Sequence, residues 1–224
     1  MRIKRYVINL DRRPDRWSDF LSRYGRGDVE RFSAVDGLAR LSSLDELSEF
    51  EKRLLSFGGW KAARGAGVFG CWMSHVKLWD LLCVSDEDAF VVFEDDAFFV
   101  SDFHEKLDFI LERITPEMDI VYFGGRSPKN FKPSDFNREW VAYKDFYAPR
   151  TLKFGHNMDR TTHGYVVTRG GAENIMKKFY DWNRIPIPAV DGFLNSIRKD
   201  IVSLDFFPHI ASSPVNYKSD VQRR

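Results

Sequence analysis

Apolar and polar positions fall into alternating blocks along the chain. Tyr6-Val7-Ile8-Asn9-Leu10 is a short apolar, β-branched run that predicts a buried first strand. After Asp11 to Arg16, the residues Trp17, Phe20, Leu21 and Tyr24 recur at helical spacing, and Gly25 and Gly27 end that helix. Residues 29–35 predict a second strand, closed by the turn pair Asp36-Gly37. Residues 42–57 carry an amphipathic helical pattern, with Ser42 or Ser43 as N-cap ahead of Glu46. Gly58-Gly59 and the small-residue stretch 62–67 read as loop. Residues 68–83 are apolar on most sides, which predicts a buried helix. Residues 89–93 form a continuous apolar run, the pattern of a central strand covered on both faces, and Glu94-Asp95-Asp96 closes it.

The second half continues the alternation. A helix is predicted over 103–114, a strand over 119–123 stopped by Gly124-Gly125, a strand over 164–168, helices over 172–182 and 189–198, and a last strand over 201–207. Residues 126–159 mix prolines, lysines and aromatics without a period and predict loops with one or two edge strands. The chain contains no internal repeat. Strands alternating with helices predict an α/β fold, an open and mainly parallel sheet flanked by helices on both faces, as a single domain over 1–224. Ligands of such sheets bind beyond the carboxyl ends of the strands.

Composition narrows the function classes. The 224 residues suffice for one α/β domain, and the 43% hydrophobic and 30% charged fractions are those of a globular protein. A net charge of +1 supplies no field to attract nucleic acid or an anionic membrane, so no nucleic-acid partner is expected. No apolar run is long enough to span a bilayer, and no signal-type apolar region follows the N-terminus. A helix through Cys71 and Cys83 would hold them about 18 Å apart, beyond disulfide reach. Both read as reduced thiols, suited to a cytoplasmic location.

The acidic triplet sits where the sheet rule places a ligand. Three adjacent carboxylates repel one another, and a divalent cation such as Mn²⁺ or Mg²⁺ relieves the repulsion while bridging to substrate phosphates. A solvated turn or a cap of the next helix explains the same acids equally well. Cys71 and His75 are four apart, a spacing that suits zinc, but no second pair completes a site and zinc is rejected. No Walker loop or Gly-rich phosphate fingerprint is present.

Several motifs together resemble glycosyltransferase family 25, which includes lipooligosaccharide and collagen-type galactosyltransferases. They are Tyr6-Val7-Ile8-Asn9-Leu10 through Arg16, Gly70-Cys71-Trp72-Met73-Ser74-His75 with Leu78-Trp79, and Val92-Phe93-Glu94-Asp95-Asp96-Ala97. Thr162-His163-Gly164-Tyr165-Val166-Val167 with Gly171-Ala172, Val190-Asp191-Gly192-Phe193-Leu194, and Ser219-Asp220 complete the ordered set. The resemblance implies a GT-A-like, Rossmann-like nucleotide-sugar fold. It also implies a nucleotide-diphospho-sugar donor, with a UDP-sugar and galactose favoured and glucose open, and transfer with inversion to a hydroxyl of a glycan or glycoprotein acceptor.

The resemblance also suggests roles. Asn9, Arg12 and Arg16 lie near the donor, with Arg16 the favoured diphosphate binder; a solvated helix start is the alternative. Asp36 is placed near base or ribose, against an ordinary Asp-Gly turn. Ser74 and His75 face a phosphate or sugar hydroxyl, against roles inside the core. Asp96 is the first metal ligand, Glu94 completes an ExD pattern, and Asp95 touches ribose or sugar. His209 is a further candidate metal ligand, against a surface histidine. Asp191 is the candidate base for the acceptor proton, against a helix N-cap. Phe131, Trp140, Tyr143 and Phe146 could stack on an acceptor sugar, with core packing as the default. Two other classes fit less of the pattern: a metal-dependent nucleotidyl or phosphoryl transferase, and a non-catalytic module that binds a glycan or partner.

Overall fold

The computed structural model describes residues 1–58, 62–126, 140–143, 146–149, 159–183, 188–206 and 208–213. In chain order these form β1 (Ile3–Asn9), α1 (Pro14–Tyr24), β2 (Glu30–Ser33), α2 (Gly37–Leu41), α3 (Glu49–Gly58) and α4 (Ala62–Val84). Next come β3 (Ala89–Glu94), β4 (Phe98–Phe99), α5 (Phe103–Leu111), β5 (Ile120–Tyr122), β6 (Gly125–Arg126), β7 (Trp140–Tyr143) and β8 (Phe146–Pro149). The last are β9 (Asp159–Arg160), β10 (Gly164–Thr168), α6 (Arg169–Tyr180), α7 (Val190–Ile197), β11 (Ser203–Asp205) and β12 (Ala211–Ser212).

The main sheet has the order β2-β1-β3-β10-β5-β11-β8-β7. Strands β2, β1, β3, β5 and β11 run the same way, as the block pattern predicts. Two strands run the opposite way: β8, antiparallel to β11, and β10, antiparallel to both β3 and β5 at the centre of the sheet. Strands β8 and β7, the last of them at the sheet edge, occupy part of the stretch that lacks a sequence period. The side chains of Trp140, Tyr143 and Phe146 on them, and all of Phe131, Ser219 and Asp220, lie outside the described residues.

Strand alternation builds two cores. Tyr6, Ile8, Phe90, Val92, Tyr165 and Val167 pack with α4, α6 and α7 on one face. Val7, Val91, Phe93 and Val166 pack with α1 and α5 on the other. Helix α1 opens on Pro14, whose missing N–H costs nothing in a first turn. It ends where Gly25 adopts φ 72° and donates its N–H to Leu21 O. Its buried face carries Arg16, Phe20 and Tyr24, four residues apart.

Two of the differences from the sequence pattern have a clear local cause. The stretch 62–67 belongs to α4, because a helix buried by its neighbours tolerates small residues. The stretch 42–57 is broken: a 3₁₀ turn over Leu44–Glu46 ends at Leu47, which is extended, and α3 starts afterwards. Ser48 rather than Ser42 or Ser43 makes the capping box. Ser48 Oγ accepts from Glu51 N–H, and Glu51 Oε2 accepts from Ser48 N–H at 2.8 Å. Ser42 Oγ is turned back onto Ala39 O, at the end of α2.

Candidate active site

Strand β3 ends in a tight turn in which Ala97 N–H donates to Glu94 O. The parallel register sets Glu94 opposite Ile8, so the end of β1 lies beside the acids. Asn9, 1% exposed, donates from Nδ2 to Asp95 Oδ2 at 2.7 Å and to Arg13 O at 3.0 Å, and its Oδ1 accepts from Arg31 Nε. Arg16 Nη2 lies 2.5 Å from Asp95 Oδ1 and 3.4 Å from Asp96 Oδ2. Arg23 donates to the carbonyls of Asp95 and Ala97 and holds the turn backbone. Asp95 is therefore engaged through both oxygens, and Asn9 and Arg16 act on the acids. Arg16 faces the cleft, but its Nη2 already serves two carboxylates.

Glu94 and Asp96 face a different set of groups. Thr162 Oγ1 donates to Glu94 Oε1, and His163 Nε2 lies 3.8 Å from Glu94 Oε2 and 3.4 Å from Asp96 Oδ1. His163 Nδ1 is 2.6 Å from Thr161 Oγ1, which orients the ring. Asp96 is 6% exposed, and its Oδ1 has no hydrogen-bond partner among the described residues. A buried carboxylate oxygen without a partner is costly. Glu94, Asp96 and His163 offer ligand atoms that all lie within 4.8 Å of one another. This O, O, N donor set with an unmet oxygen fits a divalent cation.

Charge in the turn supports the same reading. Burial works to raise Glu94, but His163, His75 and Thr162 outweigh it and hold its carboxyl well below the usual range. Burial and the Glu94 charge push Asp96 up, against His163 and Arg16. Burial also raises Asp95, against Arg16 and Asn9. A cluster that holds one carboxylate ionised at its neighbour's expense is short of positive charge.

Above the acids a cleft encloses about 730 Å³, counting space open to solvent, and is lined by Arg12, Arg16, Asp36, Ser74, His75, Glu94, Asp95 and Asp96, among others. Asp36 does not form a simple turn: it N-caps α2, its Oδ1 accepting from Leu38 and Ala39, while Oδ2 accepts from Arg12 Nε at 2.7 Å. Arg12 is the outward arginine, its side chain 45% exposed. Ser74 donates to Gly70 O and accepts from Val35 N–H, fastening the loop before α2 to α4. Gly37 and Gly70 make that approach close, since a Cβ on Gly70 would lie 2.5 Å from Val35 O.

Asp191 is in the first turn of α7, whose N-cap is Ala189, so the capping alternative does not hold. It does not line the cleft, yet it is close enough for Glu94 and His163 to act on it. Its side chain is solvent-exposed and accepts from Gly192 N–H at 2.8 Å; the protein packed around it raises its pKa, Gly192 N–H opposes this, and Glu94 adds to it. His209 is not with the acids: it is buried beyond β11, its Nε2 3.3 Å from Asp205 Oδ1, and is in neither candidate ligand group among the described residues. The histidine beside Asp96 is His163, together with Thr162. The antiparallel register sets Gly164 opposite Phe93, which carries the two preceding residues to the acidic end of β3. A pair of polar residues just before a strand was the available signal, and it points to the site only once β10 is known to run antiparallel beside β3.

The family model described as "Glycosyltransferase family 25 (LPS biosynthesis protein)" matches residues 2–194. A "Glycosyltransferase 25 family member" of Aedes aegypti is 26% identical over 182 residues, covering 77% of this chain and 28% of the relative. The "Procollagen lysyl hydroxylase and glycosyltransferase" of Acanthamoeba polyphaga mimivirus is 32% identical over 207 residues, 84% of this chain and 21% of its own length. The "Inactive glycosyltransferase 25 family member 3" of Homo sapiens is 29% identical over 130 residues, 53% of this chain and 21% of its own. The chain thus spans less than a third of the length of these relatives.

Proposed function

We propose that this chain, which belongs to glycosyltransferase family 25, moves a hexose from a nucleotide-diphospho-sugar to a hydroxyl of a glycan or glycoprotein acceptor, with inversion. A UDP-sugar is the favoured donor, galactose the favoured sugar and glucose the second choice. The observation that carries this reading is Asp96 Oδ1, a buried oxygen without a hydrogen-bond partner beside Glu94 and His163 at the floor of a cleft.

Glu94, Asp96 and His163 would hold Mn²⁺ or Mg²⁺, which when bound supplies Lewis-acid stabilisation to a departing diphosphate. Asn9 and Arg16 keep the turn rigid by engaging Asp95. Arg12, exposed at the mouth, offers a planar guanidinium to the diphosphate, and Asp36 holds it in place. Asp191 takes the proton of the acceptor hydroxyl as its oxygen attacks the anomeric carbon, on the side away from the leaving group. The name of the mimivirus relative, which joins a lysyl hydroxylase to a glycosyltransferase, supports including a hydroxylated side chain among the acceptors tried.

Calorimetric titration with UDP-galactose, UDP-glucose and a GDP-sugar, with and without Mn²⁺, tests this on wild type and Asp96→Ala. One donor should bind, and its binding should need both the metal and Asp96. A second reading, a transferase fold that only binds, is favoured by the human relative described as inactive. Metal-independent glycan binding with no donor affinity would support it. Release of a nucleotidyl product in place of a transferred sugar would instead favour a nucleotidyltransferase.

A further inference from the structure

We propose that Cys71, His75 and Glu94 form a second metal site, selective for Zn²⁺, which shares the Glu94 carboxylate with the Asp96 cluster. Helix α4 puts Cys71 and His75 one turn apart on the face turned to the end of β3. Their ligand atoms and a Glu94 oxygen all lie within 4.8 Å of one another. Tetrahedral zinc needs sulfur-to-nitrogen separations of about 3.5 Å, so side-chain shifts on the order of 1 Å close the site.

His75 supplies the independent observation. The residue is 1% exposed, and its Nε2 has no hydrogen-bond partner although it lies 3.5 Å from Glu94 Oε1. Its other nitrogen, Nδ1, is 2.8 Å from Tyr165 OH, and Trp79 Nε1 donates to the same hydroxyl. A ring anchored through one nitrogen, with the other buried, without a hydrogen bond and turned to a carboxylate, has the arrangement of a metal-binding histidine. Cys71 and Glu94 both line the cleft, which gives a cation a way in, and a fourth position remains for water. Burial pushes the Cys71 thiol up, and zinc displaces that proton to solvent on binding. Thiolate and imidazole select zinc over manganese, whereas the carboxylates of the other cluster do not. Since one carboxylate serves both groups, zinc withdraws Glu94 from Asp96 and His163. Zinc binding is independent of the transferase reading; inhibition through Glu94 rests on it.

The full chain, stripped of metal and kept reduced, is titrated with Co²⁺ and followed by absorbance. A thiolate-to-cobalt charge-transfer band should appear at one equivalent and vanish on adding Zn²⁺. Cys71→Ser and Cys71→Ala should both lose the band and about 100-fold or more in Zn²⁺ affinity while keeping a native circular dichroism spectrum, and Cys83→Ser should keep it. No band in folded wild type, or a band that survives Cys71→Ser, overturns the proposal. Asp96→Asn separates the two sites, because it should lose Mn²⁺-dependent donor binding and keep the cobalt band. In wild type, added Zn²⁺ should raise the Mn²⁺ concentration needed for donor binding.

Discussion

Asp95 and Asp96 are adjacent in the chain and opposite in circumstance. Asp95 spends its oxygens on Asn9 and Arg16, whereas Asp96 keeps Oδ1 without a hydrogen bond, 3.4 Å from His163 Nε2. The difference comes from the turn, which directs one carboxylate towards α1 and the end of β1 and the other towards His163. Asp191 carries the residue-scale prediction. Asp191→Asn should lower the rate of transfer by about 10²–10⁴-fold, the usual share of a general base, while donor affinity measured by calorimetry stays within twofold. A base must be ionised, and the Asp191 pKa is raised above its ordinary value of 3.8. Transfer should therefore fall off on the acid side at a pH above 3.8, as Asp191 becomes protonated. A rate profile flat down to pH 4, or equal activity in the variant, would remove Asp191 as the base.

At the level of elements, two local devices fix the segments between β2 and α4. The first is the start of α3, where Glu51, 3% exposed, caps through Ser48 and accepts from Arg40 Nε and Nη2. Arg40 foremost, then the Ser48 groups, hold its carboxyl down at about 2, against burial. A depressed carboxyl stabilises the fold above its unfolded pKa of about 4.5, and this contribution fades as pH falls towards 2. Glu51→Gln should cost about 1–3 kcal/mol at pH 7, measured by urea unfolding, and the gap to wild type should close towards pH 2. The second device is the contact of Gly37 with Gly70. In Gly70→Ala the new Cβ would meet Val35 O at 2.5 Å and Gly37 N at 2.9 Å, both backbone atoms that cannot swing away. The expected cost is about 1–3 kcal/mol, read as a lower Tm, with weakened donor binding because Asp36 moves with the loop.

Across the whole molecule, the cleft draws on both layers of the fold: His75 reaches the acids from α4 on one face of the sheet, and Arg16 from α1 on the other. A cation bound there ties the layers together, and ligand that binds only the folded state stabilises it. At a Mn²⁺ concentration about 100-fold above its Kd, unfolding should cost about 2.7 kcal/mol more than with chelator. Thermal scans should show that gain in wild type and not in Asp96→Ala. Among the described residues, no helix is long and apolar enough to cross a membrane.

Much of this architecture is already dictated by local sequence. The apolar runs at β1 and β3 can be satisfied only inside a sheet covered on both faces. The helical spacing of Phe20 and Tyr24 sets the buried side of α1, and Gly25 stops it. The position of Glu94, Asp95 and Asp96 at a strand end follows from that pattern, whereas the grouping of Arg12, Asp36, Ser74 and His75 around them is implied by the family resemblance and is made by packing. Local pattern cannot report contacts between distant segments. The start of α3 lies later than the local pattern places it, because three serines compete for one cap and Arg40 and Glu51 decide between them across a turn. Strand periodicity is blind to direction, so nothing local announced that β10 is antiparallel. That reversal brings His163 and Thr162, 67 and 68 residues beyond Asp96 and Glu94 respectively, to the acids, while His209 ends in a separate pair with Asp205. The partner that Cys71 and His75 lack along their own helix is likewise supplied by β3, because a ligand set is a property of atoms gathered in space and only the packing of α4 against the sheet gathers these.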